Sequence, residues 1–214
     1  MENQLENPGS GKRIEKSFSW ARNLFSPKIN KLFERYAKGD PNVELVSMND
    51  GKTVEIGPND KEKIIFTYAL SGCFGTLVFT QHEDGRRSAA LTHYAPTQIP
   101  NNMTKLRELL SKGTAMKEAK IKQAVIVMET GKWVKDAETQ RYKLEPEPEN
   151  EKAVRNIIIA IKAELGENIE VKSEPYNMSL SEGEKNVGIM VATIPPKGKG
   201  DAGFKTWFSA GKLG

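Results

Sequence analysis

Cysteine and histidine are scarce in this chain, and their scarcity excludes whole classes of protein. The 214 residues include one cysteine and two histidines. A single cysteine cannot form an internal disulfide, and no cysteine or histidine cluster has the spacing of zinc ligands. We therefore expect no metal site. The fold should be held by its apolar core, which is compatible with a reducing cytosol.

Long apolar runs and blocks of like charge are missing as well. No run approaches the ~18–20 residues of a membrane span, and the polar N-terminus lacks the apolar core of a cleavable signal peptide. The 32 basic and 28 acidic residues leave a net charge of +4. Because they are interspersed, they predict no continuous basic surface for binding a polyanion. We expect a monomer that binds neither membranes nor nucleic acid. It would be cytoplasmic, or secreted without a cleavable signal peptide and active in a host cytosol.

The pattern of apolar residues predicts a single domain of the α/β (α+β) class with mostly antiparallel strands. Residues 1–13 are typical of a disordered tail, and 14–214 are expected to form one domain that opens with a helix pair over 14–39. The spacing predicts further helices over 102–112 and 150–165. Strands are predicted at 43–48, 53–57, 63–69, 74–82, 87–94, 123–129, 168–173 and 187–194.

Two of these segments carry a more specific expectation. Residues 123–129 (QAVIVME) are almost continuously apolar, which is typical of a central strand covered on both faces. Residues 131–149 are polar and predict a surface hairpin and loop.

The only cysteine lies in a turn of small residues between two apolar strands, at the end of residues 67–73 (TYALSGC). A tight turn at Ser71 and Gly72 would lift the side chain of Cys73 out of the sheet. Small neighbours would leave room for a substrate to approach the sulfur and the nearby backbone N–H groups, which could receive a developing oxyanion. The turn is therefore a suitable place for a nucleophile.

A histidine follows at position 93, and the loop at Asp84 and Gly85 decides whether it can meet Cys73. A two-residue turn would place His93 on the face opposite to Cys73. A loop over 83–85 with Gly85 in the left-handed conformation would instead pair His93 with Gly75, on the face of Cys73 and diagonal to it. Diagonal neighbours lie about 7–8 Å apart, within reach of a thiol and an imidazole.

Such a pair would have a definite chemistry. An imidazolium beside Cys73 would favour the nucleophilic thiolate, and the ring of His93 could later protonate a leaving amine and activate water. The hydroxyl of Thr67 could hold the ring in its productive orientation. The plainer alternatives are a buried cysteine that packs as a small apolar residue, a structural His93 and an ordinary strand residue at Thr67. The other histidine, His82, is expected at the surface beside the turn.

Thr67, the Leu-Ser-Gly-Cys turn that ends at Cys73 and the downstream His93 together resemble the catalytic core of one family. This is the family of glutamine deamidases related to cytotoxic necrotizing factor, the Burkholderia-type lethal factor and CheD. The resemblance covers residues 63–96, and the Cys73–His93 interval is longer than in the family, as an enlarged hairpin would explain.

The resemblance implies a sandwich of mixed, largely antiparallel sheets flanked by helices, which would make 14–214 a catalytic domain. It implies that Cys73 is the nucleophile, His93 the general base and acid, and Thr67 the orienting residue, with the turn of Ser71 and Gly72 beside the oxyanion. The reaction would convert a glutamine of a target protein to glutamate through a thioester, without a cofactor. The chain would act as a bacterial toxin or effector on a host or cellular protein, of the GTPase or translation-initiation helicase class.

Two other functions remain compatible with the sequence. The same residues would serve another thiol hydrolase, such as a protease or an esterase. Alternatively, the chain is a non-catalytic module that binds an acidic partner through its basic N-terminal helices and the loop of residues 197–205.

Overall fold

The computed structural model describes the chain from residue 27 onward, with short gaps. The described residues are 27–70, 72–112, 114–129, 131–135, 142–176, 184–195 and 203–212. The tail 1–13, the first helix of the pair predicted over 14–39, Ser71 and most of the 197–205 loop lie outside this range.

Helices form where apolar residues recur at helical spacing. The described helices are α1 (Pro27–Ala37), α2 (Ile99–Lys112), α3 (Thr114–Lys117) and α4 (Pro148–Leu165). Proline at the first turn of α4 fixes a helical φ where no N–H partner is needed, and Gly166 ends the helix with φ 96 and a hydrogen bond to Lys162 O. The helices predicted over 102–112 and 150–165 are therefore confirmed.

The strands form two sheets and a separate hairpin. The first sheet has the order β1-β3-β10-β11, the second has the order β2-β5-β4-β6-β9, and β7 pairs with β8. Pairs β1–β3 and β6–β9 are parallel and the other pairs are antiparallel. The strands are β1 (Val43–Leu45), β2 (Asp50–Ile56), β3 (Lys63–Leu70), β4 (Phe74–Gln81), β5 (Arg87–Tyr94), β6 (Ile121–Glu129), β7 (Gly131–Lys135), β8 (Tyr142–Pro146), β9 (Glu170–Tyr176), β10 (Glu184–Ile194) and β11 (Gly203–Lys212).

This architecture confirms the predicted α+β class with mixed, largely antiparallel sheets. The polar stretch 131–149 contains the β7–β8 hairpin, as its composition indicated. Within the described part of the chain, none of the helices has the length and apolar character of a membrane span.

The core has three apolar layers. Helices α2 and α4 cover the outer face of the second sheet through Leu106, Ile157 and Ile161. Helix α1 covers the outer face of the first sheet, and an inner layer joins the two sheets. Strand β6 contributes alternate residues to the outer and inner layers, so the expectation that it is covered on both faces is confirmed. It lies beside β4, the central strand of its sheet.

The β4–β5 hairpin adopts the longer of the two loops considered above. Gln81 pairs with Arg87 and Gly75 with His93, and Gly85 has φ 89. The turn closes through bonds from His82 N to Arg86 O and from Gly85 N to His82 O. Glycine is needed there because a Cβ disfavours this left-handed conformation.

Strand β3 ends in a β-bulge that changes which side chains face inward. Ile189 pairs with Tyr68 and Gly188 with Leu70, so Ala69 is an extra residue, and its φ is 61. Thr67 and Leu70 therefore both face the second sheet, whereas Tyr68 and Ala69 pack with the layer under α1. The bulge directs the chain back into the inner layer just before the turn that carries Cys73.

Candidate active site

His93 lies near the end of β5, inside the sandwich. It pairs with Gly75 of β4, and its side chain is 1% exposed. Because Leu91 and Ala89, two and four residues earlier on β5, belong to the inner layer, the ring of His93 projects toward the first sheet. There its Nδ1 lies 2.7 Å from the Oγ1 of Thr67. The structure thus joins Thr67 and His93 directly, across the two sheets.

The hydrogen bonds of Thr67 determine which nitrogen of His93 carries the proton. The Thr67 hydroxyl donates to the carbonyl oxygen of Val46 at 2.8 Å, since a carbonyl can only accept. A hydroxyl has a single proton, so Thr67 must accept from His93 and the ring must carry hydrogen on Nδ1. In the neutral ring, Nε2 is then left with its lone pair. This is the tautomer that a general base acting through Nε2 requires.

Burial determines the charge of the ring. Desolvation lowers the pKa of His93 from 6.5 to about 4, because the charged form loses its hydration in the interior. At neutral pH the imidazole is therefore uncharged. The sequence-based expectation of an imidazolium that stabilises a resting thiolate is not supported, and a neutral ring that removes the thiol proton during attack fits better.

Cys73 precedes β4 and shares the inner face with His93. It packs in the inner layer with Leu70 and Leu77 and is 6% exposed. The diagonal placement expected from the hairpin register is therefore present. Gly75 lies between Cys73 and Leu77 on this face, and a Cβ there would lie 3.0 Å from the Sδ of Met190 and 3.4 Å from a methyl group of Leu70. The space that the missing side chain leaves is therefore filled by Met190 and Leu70, not by the His93 ring as its cross-strand position suggested.

The thiol and the imidazole do not yet form a hydrogen bond. Nε2 of His93 is buried and has no hydrogen-bond partner among the described residues, which include Cys73. Catalytic hydrogen bonds are often long before substrate binds and tighten in the reacting complex.

The turn before Cys73 uses the conformational freedom of glycine. Gly72 has φ 75, in the left-handed region where a residue with a Cβ is disfavoured. Ser71, the other residue assigned to this turn, lies outside the described residues.

Two expectations about accessibility are wrong. The turn was expected to leave room for a substrate at the sulfur, but Cys73 is 6% exposed, and it lines neither of two cavities, of 540 and 160 Å³, that described residues form. His82 was expected at the surface, yet it is 8% exposed and borders the 160 Å³ cavity at the turn of the hairpin. Ile56, Gly57 and Asp60 line the same cavity, so the end of β2 and the loop after it lie close to His82 and account for its burial.

Two residues that the sequence analysis did not assign complete the site. Val46 supplies the carbonyl that holds the Thr67 hydroxyl, and Asn49 donates its N–H to the carbonyl oxygen of His93 at 2.6 Å. The Asn-Asp-Gly sequence at 49–51 is typical of a turn, and Asn49 has φ 63. No local signal identifies Val46, because its role depends on a backbone atom.

Among the described residues, no group of three or more His, Cys, Asp or Glu side chains could hold a metal ion.

Comparisons with known proteins give only distant likenesses. No protein-family model matches the sequence, and no curated protein matches it. The C-terminal domain of CNFy from Yersinia pseudotuberculosis is 12% identical with a TM-score of 0.34, over 77% of this chain and 55% of that chain. The Neisseria meningitidis protein NMB0706 (family DUF152) is 7% identical with a TM-score of 0.34, over 71% of this chain and 72% of that chain. This chain thus spans about half of the first structure, and similarities at this level carry no inference about activity.

Proposed function

We propose that this chain is a cysteine-dependent protein glutamine deamidase. The observation that carries the proposal is the bond between Thr67 and His93, because the Thr67 proton is committed to Val46 and so leaves Nε2 of His93 as a base. The shared inner face of His93 and Cys73 and the resemblance of Thr67, Cys73 and His93 to the deamidase core give further support.

Each of the three side chains has a defined role in the proposed reaction. Nε2 of His93 takes the thiol proton as Sγ of Cys73 attacks the carboxamide carbon of a glutamine. The imidazolium then returns the proton to the leaving nitrogen, ammonia departs and a thioester remains. Water, deprotonated by the neutral ring, cleaves the thioester to glutamate and restores the thiol. Thr67 keeps the ring in one tautomer and stabilises the transient imidazolium by accepting from Nδ1–H.

The proposed target is a host or cellular protein. Deamidation replaces a neutral hydrogen-bonding amide with a negative charge. At a GTPase glutamine that orients water the change would stall hydrolysis, and at a helicase interface it would disturb binding or turnover. We place the protein in the cytoplasm or, as an effector exported without a cleavable signal peptide, in a host cytosol.

The test is mass spectrometry of a eukaryotic cell lysate incubated with the protein in ¹⁸O-labelled water. Each enzymatic event should convert one glutamine to glutamate carrying one ¹⁸O atom, and the conversion should be absent with Cys73→Ser. A lysate that shows only backbone cleavage would replace deamidation with proteolysis. A lysate with no Cys73-dependent covalent change would overturn the enzymatic proposal altogether.

The burial of Cys73 favours one competing function, a non-catalytic binding protein in which the cysteine is core packing. Thiol labelling of the folded protein separates the two. A catalytic thiol should react with iodoacetamide at a rate that depends on the presence of His93. A packed thiol should react only as the protein unfolds, and His93→Gln should then change the labelling rate no more than it changes the unfolding rate.

A further inference from the structure

Asn49 contacts the end of β5 at two points, on either side of Tyr94. Its backbone N–H donates to the carbonyl oxygen of His93 at 2.6 Å, and its side-chain Oδ1 accepts from the N–H of Ala95 at 3.2 Å. Its φ of 63 allows both bonds to form at once, and asparagine accepts this left-handed conformation better than most residues. One asparagine thus binds the backbone on both sides of Tyr94, at the edge of β5 that faces away from β4.

Asn49 belongs to a short connection between the two sheets. Residues 46–49 leave β1 of the first sheet and enter β2 of the second. At the start of this connection, Val46 donates to Phe66 O at 2.8 Å and accepts from the Thr67 hydroxyl. At its end, Asn49 holds His93. One four-residue segment therefore fixes both partners of the Thr67–His93 hydrogen bond, which otherwise belong to different sheets.

We propose that Asn49 is a positioning residue for His93: its bonds to the end of β5 keep the imidazole against Thr67, which sets the Nδ1–H tautomer, and on the face that Cys73 shares. This inference rests on the proposed function, because the tautomer matters only if Nε2 acts as a base. Without the amide oxygen of Asn49, the backbone N–H of Ala95 loses its acceptor. The end of β5, which carries the His93 ring, is then less restrained. Small displacements of a catalytic group lower rates steeply, since proton transfer requires close alignment.

Three substitutions test whether Asn49 positions His93 specifically or whether the loss of any similar hydrogen bond has the same effect. Asn49→Gly keeps the left-handed backbone and the bond to His93 O but removes the acceptor for Ala95. Asn49→Asp is the conservative variant, because it keeps an acceptor oxygen and tolerates the same φ. The control is Asp60→Ala, which removes a comparable bond between Asp60 Oδ2 and Gly57 N, at 2.7 Å in the loop between β2 and β3.

The first measurement is the ¹⁵N spectrum of the histidine rings. The chain has two histidines, so His82→Ala assigns the signals of His93 directly. In the wild type and in Asn49→Asp, His93 should show the Nδ1–H tautomer; in Asn49→Gly, a mixture of tautomers is expected. Asp60→Ala should give the wild-type spectrum although it too has lost one side-chain hydrogen bond.

The second measurement is kinetic. Asn49→Gly should lower the rate of Cys73 alkylation by iodoacetamide and the kcat for deamidation by about tenfold, with KM unchanged, because ring alignment rather than substrate binding is affected. Asn49→Asp should restore both rates.

The inference fails if Asn49→Gly keeps the wild-type tautomer and alkylation rate, or if Asp60→Ala changes both to the same extent. The proposed function fails separately: wild-type protein that shows the tautomer dependence but forms no glutamate would retain Asn49 as a positioning residue and exclude the deamidase.

Discussion

The two histidines of this chain lie at opposite ends of the β4–β5 hairpin, and both are buried with an Nε2 that has no hydrogen-bond partner among the described residues. They differ in what surrounds the rest of the ring. His93 faces the inner layer, where Thr67 fixes its Nδ1 and Cys73 lies on the same face. His82 borders a 160 Å³ cavity near Arg86 and Asp60, away from the thiol.

The comparison shows that a buried ring nitrogen without a hydrogen-bond partner is not sufficient to make a histidine a general base. A general base also needs a partner that fixes its tautomer and a nucleophile on the same side. Only His93 meets both conditions. Matched substitutions at the two ends of the hairpin, and the pH dependence of His93, test this difference.

The largest difference is expected between His93→Ala and His82→Ala. Loss of a general base costs about 10²- to 10⁴-fold in rate, so His93→Ala should lower deamidation at least that much, while His82→Ala should stay close to the wild-type rate. Initial rates of ammonia release measure the effect, and circular dichroism confirms folding. Equal losses of deamidation rate in the two variants would contradict a specific role of His93 as the general base. If His93→Ala does not fold, His93→Gln takes its place.

The second prediction concerns the pH dependence of stability. His93 has a pKa of about 4 in the folded protein, below its ordinary 6.5, so the unfolded chain binds the proton first as the pH falls. The stabilisation from the neutral buried ring is complete above pH 6.5 and is lost as the pH falls toward 4. A change of this size corresponds to about 3 kcal/mol of unfolding free energy.

Urea unfolding of wild type and His93→Gln at pH 7.5 and pH 4 isolates this effect from the carboxylates, which titrate in both proteins. The advantage of the wild type over His93→Gln should shrink by that amount at pH 4. Parallel pH profiles would show that the ring is hydrated in the folded state.

The third prediction compares two buried threonine hydroxyls. Thr67→Val removes the acceptor of His93 Nδ1–H and should lower the deamidation rate about tenfold, the effect of losing a hydrogen bond worth about 1.4 kcal/mol. Thr67→Ser keeps the hydroxyl and should recover most of the rate. Thr80→Val breaks the 2.6 Å bond to Ser88 at the other end of the hairpin and should cost stability without changing the rate. A rate loss in Thr80→Val as large as in Thr67→Val would contradict a specific role for Thr67.

The smallest effect is expected at the two glycines that flank β4. Gly72 and Gly85 have φ 75 and 89, so alanine at either position should cost about 1–2 kcal/mol of stability. Thermal unfolding should show similar losses. Only Gly72→Ala should also slow alkylation of Cys73, because Gly72 shapes the turn that presents the thiol. An unchanged alkylation rate in Gly72→Ala would show that the conformation of the turn does not affect the reactivity of Cys73.

Much of this fold was predictable from local pattern. The apolar spacing located α2 and α4, the turn residues separated the strands, and the continuous apolar run of β6 indicated its cover on two faces. The Asp84-Gly85 signal limited the hairpin to two registers, one of which brings His93 opposite Gly75. These features depend on neighbours within a few residues, which is why sequence reasoning reaches them.

The sequence by itself determined the order of the elements and a short set of residues, Thr67, Cys73 and His93, that strand alternation can bring to one face. Only the tertiary structure decided that His93 is uncharged, that Thr67 is held by Val46, that Asn49 secures the end of β5 and that Cys73 is buried. Charge and tautomer depend on which distant groups exclude water and which share a proton. Those groups lie on different sheets and meet only when the two sheets pack together.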